Sequence, residues 1–322
     1  MRKSFIISPD DHISHKRLDT YLSQALPSIS RSLIKKHFEQ GLFTSSQELS
    51  LKRLPEVNCE IFFDEPELKL TQIIPQNIPL HILHEDDDLI IINKQAGLVV
   101  HPAPGNPDRT LVNAILYHCP NLSGIGNEKR PGIVHRLDKG TSGIMVVAKS
   151  QKCHEGLVNL FSSHDIDRVY EAVVLGSKIE NKNRLESLIG RSSSNRLKMT
   201  TKVKHGKSAV THLEVKHVFK YFSHLELKLE TGRTHQIRVH LSELLNSPIV
   251  NDPLYGKKKE EIYRYSSGLK NLMKEYEYPL LHAKVLGFTH PISKEKLYFE
   301  QQAPTIFQKA LTILHNQELG LI

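Results

Sequence analysis

The sequence predicts an α+β fold built from two domains. Beyond residue 81, short segments rich in β-branched residues alternate with a few helical segments, and the strands look antiparallel rather than doubly wound. Before residue 70, leucines at a spacing of four (Leu18, Leu22 and Leu26) indicate a helix with one apolar stripe. The length of 322 residues also suits two domains and allows a large buried core.

The smaller domain is assigned to residues 1–70. Residues 14–40 predict two helices, the second with basic side chains opposite its apolar face. Residues 57–63 predict a short strand that completes the unit. The proline-rich stretch that follows predicts a linker at residues 71–80.

The larger domain is assigned to residues 81–322. Its predicted strands are residues 89–93, 97–100, 144–148, 169–175, 211–219, 223–230 and 234–239. Its predicted helices are residues 110–117, 154–162 and 304–314. This alternation favours an antiparallel sheet with helices packed against it.

Composition and charge narrow the class of protein. There are 43 lysines and arginines against 35 aspartates and glutamates, and the net charge of +8 favours an anionic partner such as nucleic acid. Three scattered cysteines are too few for a disulfide framework or a thiolate metal site, so reduced thiols are expected. No apolar run approaches the ~20 residues of a membrane span. We therefore expect a cytoplasmic protein without a membrane partner.

A dense polar block at residues 132–141 runs directly into an apolar strand. Loops at the edge of a strand often carry reactive side chains. Asp138 lies between Arg136 and Lys139, and nearby positive charge favours the carboxylate form that acts as nucleophile or base. The alternative is a loop aspartate that merely pairs with a surface arginine.

A second polar block covers residues 229–240. As a strand, it would place Ile237 on one face and Arg238 on the other, with Arg233 at the preceding turn, well placed to reach a neighbouring loop. The alternative is an edge strand whose polar residues face solvent. His235 and His240 would lie on opposite faces without a cysteine or carboxylate cluster, so a metal site is not expected.

Six sequence blocks together resemble the RluA-type pseudouridine synthases. The blocks lie in the family's order at residues 93–102, 132–138, 168–172, 233–238, 252–256 and 281–283. The sequence of residues 101–107 and the basic loop before residue 206 are similar to members that act on large-subunit ribosomal RNA. The family usually has glycine before Asp252, where this chain has Asn251.

The resemblance implies a mixed, mostly antiparallel sheet with flanking helices and a central cleft, and an activity that needs no cofactor. It implies that Asp138 is the catalytic aspartate, that Arg233 pairs with it, and that Tyr170 packs against the target base. His135 and Arg136 would contact the RNA, Arg136 by entering the space that the extruded uridine leaves. Ile237 and Leu281 would line the base pocket.

The first domain resembles an S-four-like RNA-binding domain. The resemblance rests on residues 17–22 and 30–36. It implies that Arg31, Lys35 and Lys36 contact RNA phosphates, which supply affinity more than sequence choice. The alternative is a plain helical hairpin with a solvated face.

The sequence therefore predicts a monomeric enzyme that forms pseudouridine in ribosomal RNA or in the pre-ribosomal large subunit. One rival is an inactive RNA-binding ribosome-assembly factor, which would be expected to lack the aspartate or its arginine partner. The other is a base hydrolase, which normally uses two carboxylates. Asp138 has no acidic companion in its motif.

Overall fold

The computed structural model divides into two compact units, Met1–Lys69 and Leu70–Ile322. It describes residues 2–27, 29, 31–65, 73–103, 105–122, 124–127, 130–177, 179, 183–257, 261, 264–274 and 276–321, without the side chains of residues 32 and 33. The first residue of segment 30–36, which carried the resemblance to an RNA-binding domain, and the first two residues of the predicted linker lie outside this description.

The first unit is a three-stranded antiparallel sheet covered by helices. Its elements are β1 (Arg2–Ile6), α1 (Pro9–Ser14), α2 (Leu18–Ala25), α3 (Arg31–Glu39), β2 (Phe43–Ser45) and β3 (Glu60–Asp64). The strand order is β1-β3-β2. Leu18, Leu22 and Leu26 are all buried in the apolar core of this unit, as their spacing predicted.

The second unit is built on one ten-stranded sheet. Its strands are β4 (Ile82–Glu85), β5 (Leu89–Lys94), β6 (Ser142–Ala148), β7 (Asp167–Leu175), β8 (Arg184–Arg191), β9 (Met199–Thr200), β10 (Lys207–Val218), β11 (Phe222–Leu229), β12 (Leu281–Thr289) and β13 (Lys296–Glu300). Its order is β4-β5-β6-β12-β7-β11-β10-β8-β9, with β13 also paired to β12. Only β6 and β12 pair in parallel among these strands, so the predicted α+β class is confirmed.

Helices cover both faces of the central strands. They are α4 (Leu111–His118), α5 (Gln151–Ser163), α6 (Gln236–Val239), which continues as a π-helical turn at His240–Leu244, α7 (Ser267–Leu272) and α8 (Thr305–Glu318). In β6 every residue is buried, because Met145 and Val147 pack in the cluster that includes α4 while Val146 packs against α5. Two-sided burial explains why β5 and β6 read as continuous apolar runs rather than alternating ones.

Two predicted strands are wrong. Residues 97–100 are irregular: Gly97 lies in a turn with a φ of 93° and donates its N–H to the carbonyl of Lys139 at 2.7 Å. Residues 234–239 form a turn and the short helix α6. The other predicted strands and helices are present with shifted ends. Within the described part of the chain, none of the helices combines the length and hydropathy of a bilayer span.

Candidate active site

A cavity of about 340 Å³ opens beside β6, β7 and β12 in the second unit. The residues predicted for catalysis, RNA contact and base binding in this unit all line it: His135, Arg136, Asp138, Tyr170, Arg233, Ile237 and Leu281. They come from the loop before β6, from β7, from the segment around α6 and from the start of β12. The fold thus brings together residues that are up to about 150 positions apart in the chain.

The loop that carries Asp138 is fixed at several points. The N–H of Thr141 donates to the Asp138 carbonyl at 3.1 Å. The next carbonyl, that of Lys139, accepts from Gly97 at 2.7 Å and lies 3.5 Å from Nζ of Lys94. Lys94 is 2% exposed, and burial lowers its pKa to about 7 although the charge of Asp138 opposes the shift. A buried lysine and a glycine turn therefore hold the loop that presents the carboxylate.

The arginine that binds Asp138 is Arg238, and the predicted pairing with Arg233 is wrong. Nη1 of Arg238 lies 3.0 Å from Oδ2 of Asp138. Nε and Nη2 of the same guanidinium bind the two carboxylate oxygens of Asp252 at 2.6 and 2.7 Å. Arg233 instead donates from Nε to the carbonyl of Ser208 at 2.9 Å, at the edge of the cavity.

The helical conformation of α6 explains this exchange of partners. A strand at residues 234–239 would place His235 and Arg238 on opposite faces. Instead, His235 forms the turn before α6 and Arg238 lies within the helix, and both side chains point to Asp138, with Nε2 of His235 3.8 Å from its Oδ2. Because the predicted strand separated these two side chains, it favoured Arg233, at the preceding turn, as the partner of Asp138.

Arg238 is a buried cation held between two carboxylates. Its side chain is 7% exposed, and that of Asp252 is fully buried. Burial opposes the charged guanidinium, but the hydrogen bonds and charge of Asp252, together with the charge of Asp138, raise the pKa of Arg238 above its usual value. Burial likewise disfavours the Asp252 carboxylate, and Arg238 outweighs it and lowers the pKa of Asp252. Two anions and one cation leave this group with a net negative charge.

Tyr255 contacts the His235 ring at Nδ1. The Met199 N–H donates to Oη of Tyr255 at 2.7 Å, and Oη lies 2.8 Å from Nδ1 of His235. The other ring nitrogen, Nε2, faces Asp138. Burial lowers the pKa of His235, although the charge of Asp138 opposes this shift.

Tyr170 forms the apolar side of the cavity with Ile237 and Leu281. All three are buried members of one apolar cluster. Burial raises the pKa of Tyr170 to about 12, with the charge of Asp138 acting in the same direction and Arg168 opposing it. The phenol is therefore protonated at neutral pH, so it offers a flat ring and a hydroxyl donor beside Asp138.

His135 and Arg136 differ in their freedom to reach a ligand. The His135 ring stacks on Phe161 with centroids 4.5 Å apart, and its Nε2 accepts the N–H of Val146 at 3.1 Å. Burial lowers the pKa of His135 to about 3, and the charge of Arg168 adds to the shift, so the ring is neutral. Arg136 is exposed. The contacts of His135 hold the loop that carries Asp138, whereas the exposed side chain of Arg136 can reach a ligand at the cavity.

The predicted RNA-contact residues of the first unit lie on α3. Nη2 of Arg31 binds Oδ2 of Asp19 at 2.9 Å, and Lys35 lies 3.8 Å from Glu39, one turn along the helix. Hydrogen bonds from Arg17, opposed by burial and assisted by Arg31, lower the pKa of Asp19 to about 2. Lys35 and Lys36 are exposed, so α3 presents cations to solvent.

Sequence reasoning assigned no role to three residues that shape the site: Arg238, Asp252 and Tyr255. Arg238 and Asp252 lie in blocks that carried the resemblance, which was the available signal. Asn251 has a φ of 64°, a left-handed conformation that glycine and asparagine adopt most readily. The glycine usual in the family and the asparagine found here therefore satisfy the same backbone requirement next to Asp252.

Potential metal ligands cluster elsewhere in the described part of the chain. One group is Glu85, His118 and Cys119, and the other is His217, His315 and Glu318. Neither group lines the cavity. His235 and His240 each have both ring nitrogens near polar or charged partners of this chain.

The fold and the site define the class of protein: this chain belongs to the RNA pseudouridine synthase family, and its RluA-type resemblance is confirmed. The family described as RNA pseudouridylate synthase matches residues 88–243. The chain is 41% identical over 304 residues to ribosomal large subunit pseudouridine synthase D of Zymomonas mobilis, covering 92% of this chain and 93% of that protein. With the synthase D of Pseudomonas aeruginosa it shares 38% identity over 308 residues, covering 95% and 94% of the two chains.

A solved structure shows the same architecture. Human RNA pseudouridylate synthase domain containing 4 superposes with a TM-score of 0.58 and 26% identity, covering 73% of this chain and 93% of that chain. The similarity of sequence and fold places the cavity described above within a pseudouridine synthase domain.

Proposed function

We propose that this protein converts specific uridines of large-subunit ribosomal RNA to pseudouridine in the cytoplasm, as a monomer and without a cofactor. One observation carries the proposal: Asp138, which is the one carboxylate among the described residues lining an arginine-rich cavity, is held by Arg238. The substrate class is supported by the names of the relatives in Zymomonas mobilis and Pseudomonas aeruginosa.

The reaction is an isomerisation, so nothing has to be added or removed. The bond from ribose C1′ to N1 of uracil breaks, the base rotates, and a bond forms from C1′ to C5. The proton on C5 leaves and N1 gains one, so atoms and electrons balance. Two roles for Asp138 fit this chemistry: attack on the ribose, or removal of a ribose proton.

The neighbours of Asp138 support either role by fixing its position. Arg238 donates two guanidinium N–H groups to Asp252, which fixes the guanidinium, and a third to Asp138. The fixed guanidinium in turn orients the Asp138 carboxylate. Tyr170 is suited to pack against uracil, because its ring borders the cavity and its hydroxyl keeps its proton at neutral pH. Ile237 and Leu281 complete an apolar pocket for the base.

A target uridine within a folded RNA must leave its stack to reach Asp138. Extrusion costs a few kcal/mol, which contacts made after extrusion have to offset. Arg136 is exposed at the cavity and long enough to occupy the vacated space. We therefore assign Arg136 this role, while the stacked His135 holds the loop beneath it.

The first test is a map of pseudouridines in ribosomal RNA from cells with and without this protein. We expect one or more large-subunit positions to lose the modification when the protein is absent and to regain it when the wild-type chain is supplied. An unchanged map would contradict the proposed activity and would favour the rival role as an inactive assembly factor.

The first unit is proposed to add RNA affinity through the exposed cations of α3. We expect the double substitution Lys35→Gln and Lys36→Gln to weaken RNA binding severalfold and to flatten its salt dependence by up to about two charges, because each phosphate contact releases counterions. The measurement is the dissociation constant for large-subunit ribosomal RNA at several salt concentrations. The control is Lys52→Gln, an exposed lysine of the same unit outside α3. Equal salt slopes for all three proteins would contradict the role.

A further inference from the structure

Arg168 is a buried cation in the cavity wall, and none of the described carboxylates forms a salt bridge with it. It lies two residues before Tyr170 in β7, so the two side chains share one face of the strand, and both line the cavity. Its side chain is mostly enclosed, and the residue is 7% exposed. The phenyl ring of Phe161 lies 5.5 Å from its guanidinium carbon.

The contacts of Arg168 leave its charge uncompensated. Nη2 donates to the carbonyl of Glu230 at 2.8 Å and lies 3.5 Å from that of Leu229. Nε is buried and has no hydrogen-bond partner among the residues that the structure describes. No salt bridge joins Arg168 to a carboxylate of the described residues, unlike Arg238. Burial lowers the pKa of Arg168, and the charge of Arg233 adds to this effect. A buried charge without a counter-charge is costly, and in proteins such charges normally pair with another ion.

The charged side chains that line the cavity are mostly positive. Among the described residues that line it, five are arginines, whereas Asp138 alone carries a carboxylate. Arg238 is neutralised by Asp138 and Asp252, which leaves Arg130, Arg136, Arg168 and Arg233. Of these four, Arg168 is the buried one. Gly232 packs against it so closely that a side chain there would lie 2.7 Å from Nη1.

We propose that Arg168 is the binding site for a phosphodiester that flanks the target uridine. The inference rests on the proposed function, in which the substrate is RNA. Uracil and ribose are neutral, so phosphates are the only anions that such a substrate brings into the cavity. A guanidinium at this depth binds a phosphate more strongly than an exposed one does, because water screens the pair less. Because Arg168 lies beside Tyr170, the bound phosphate would lie next to the base that Tyr170 contacts.

The test compares small ligands that differ in the presence and position of a phosphate group. The ligands are uridine 5′-monophosphate, uridine 3′-monophosphate and uridine, titrated into the wild-type protein and into Arg168→Met, with NMR or calorimetric detection. We expect at least one nucleotide to bind the wild type about tenfold or more tightly than uridine, on the scale of a charged hydrogen bond, and Arg168→Met to lose that advantage. Arg130→Met, which removes an exposed cation of the same cavity that has no assigned role, should keep most of it.

Several results would overturn the proposal. Equal binding of uridine and both nucleotides by the wild type would do so, and so would an undiminished phosphate advantage in Arg168→Met. If Arg168→Met fails to fold by circular dichroism, Arg168→Lys takes its place, because lysine keeps the charge but not the planar fork. A severalfold smaller phosphate advantage in Arg168→Lys then supports the proposal, and an unchanged advantage contradicts it.

A second measurement separates this proposal from the proposed function. RNA that carries a neutral methylphosphonate at either linkage next to a mapped uridine should react more slowly with the wild type, and Arg168→Met should show no further loss at the sensitive linkage. If the rate losses caused by the methylphosphonate and by Arg168→Met multiply as independent effects, the contact between Arg168 and that phosphate is contradicted. Nucleotide binding does not require turnover, so an inactive wild-type protein that still prefers the nucleotides would refute the activity and leave the phosphate site standing.

Discussion

Asp138→Asn is expected to reduce pseudouridine formation by at least about a thousandfold while RNA binding stays within about twofold of the wild type. The amide keeps the size of the carboxylate but serves neither as a nucleophile nor as a base, and loss of such a group commonly costs this much. The fold should persist, because Arg238 retains its two bonds to Asp252. The measurement is single-turnover formation of pseudouridine at a mapped uridine.

The control for this variant is Asp167→Asn. Asp167 is an exposed acid at the start of β7 that pairs with Lys228, and it does not line the cavity. Its substitution removes the same charge and should leave the rate unchanged. Substantial turnover by Asp138→Asn would refute the assignment of Asp138, and every role assigned relative to it would need revision.

Arg238→Met is expected to lose both stability and activity. It leaves Asp252 fully buried without a counter-charge, and breaking a buried ion pair in this way costs about 3–5 kcal/mol of unfolding free energy. It also frees the Asp138 carboxylate from its fixed rotamer, so we expect the rate to fall by about a hundredfold or more. Denaturant unfolding measures the first effect, and single-turnover kinetics measures the second.

A double variant separates these two effects. Arg238→Met with Asp252→Asn removes the buried negative charge but keeps an oxygen at residue 252 to accept the N–H groups of Leu254 and Tyr255. We expect this pair of substitutions to recover much of the lost stability but not the activity. Recovery of both would show that Arg238 acts only on the fold. An Arg233→Met variant should unfold like the wild type, because Arg233 contacts a carbonyl rather than a buried carboxylate.

Much of the fold follows from local patterns in the chain. The spacing of Leu18, Leu22 and Leu26 predicts a buried helix face, and the apolar run in β6 predicts a strand. These patterns are reliable because each extends over several residues that face the same buried core. The loop of Asp138 could be identified because dense polar sequence meets a buried strand there.

The error around residues 234–239 has a physical origin. Six residues are too few to distinguish a repeat of two from a repeat of 3.6 when polar and apolar side chains alternate. His235 has a φ of 57°, which turns the chain into α6, and a histidine does not by itself specify this conformation although it adopts it more often than most residues. The sheet beneath decides the conformation: Gln236 donates to the carbonyl of Val210 and the hydroxyl of Thr211 in β10.

The amino-acid sequence by itself determined the family, the succession of most strands and helices, and the aspartate on which the chemistry depends, because these depend on residue types and spacings within short segments. Only the tertiary structure decided which arginine binds that aspartate, that the buried carboxylate of Asp252 binds the same arginine, and that Arg168 has no counter-charge among the described residues. Each of these depends on side chains far apart in sequence: Arg238 and Asp138 are separated by 100 positions. Ionic contacts of this kind require atoms within a few ångströms, and the chain reaches such proximity only after the sheet has assembled.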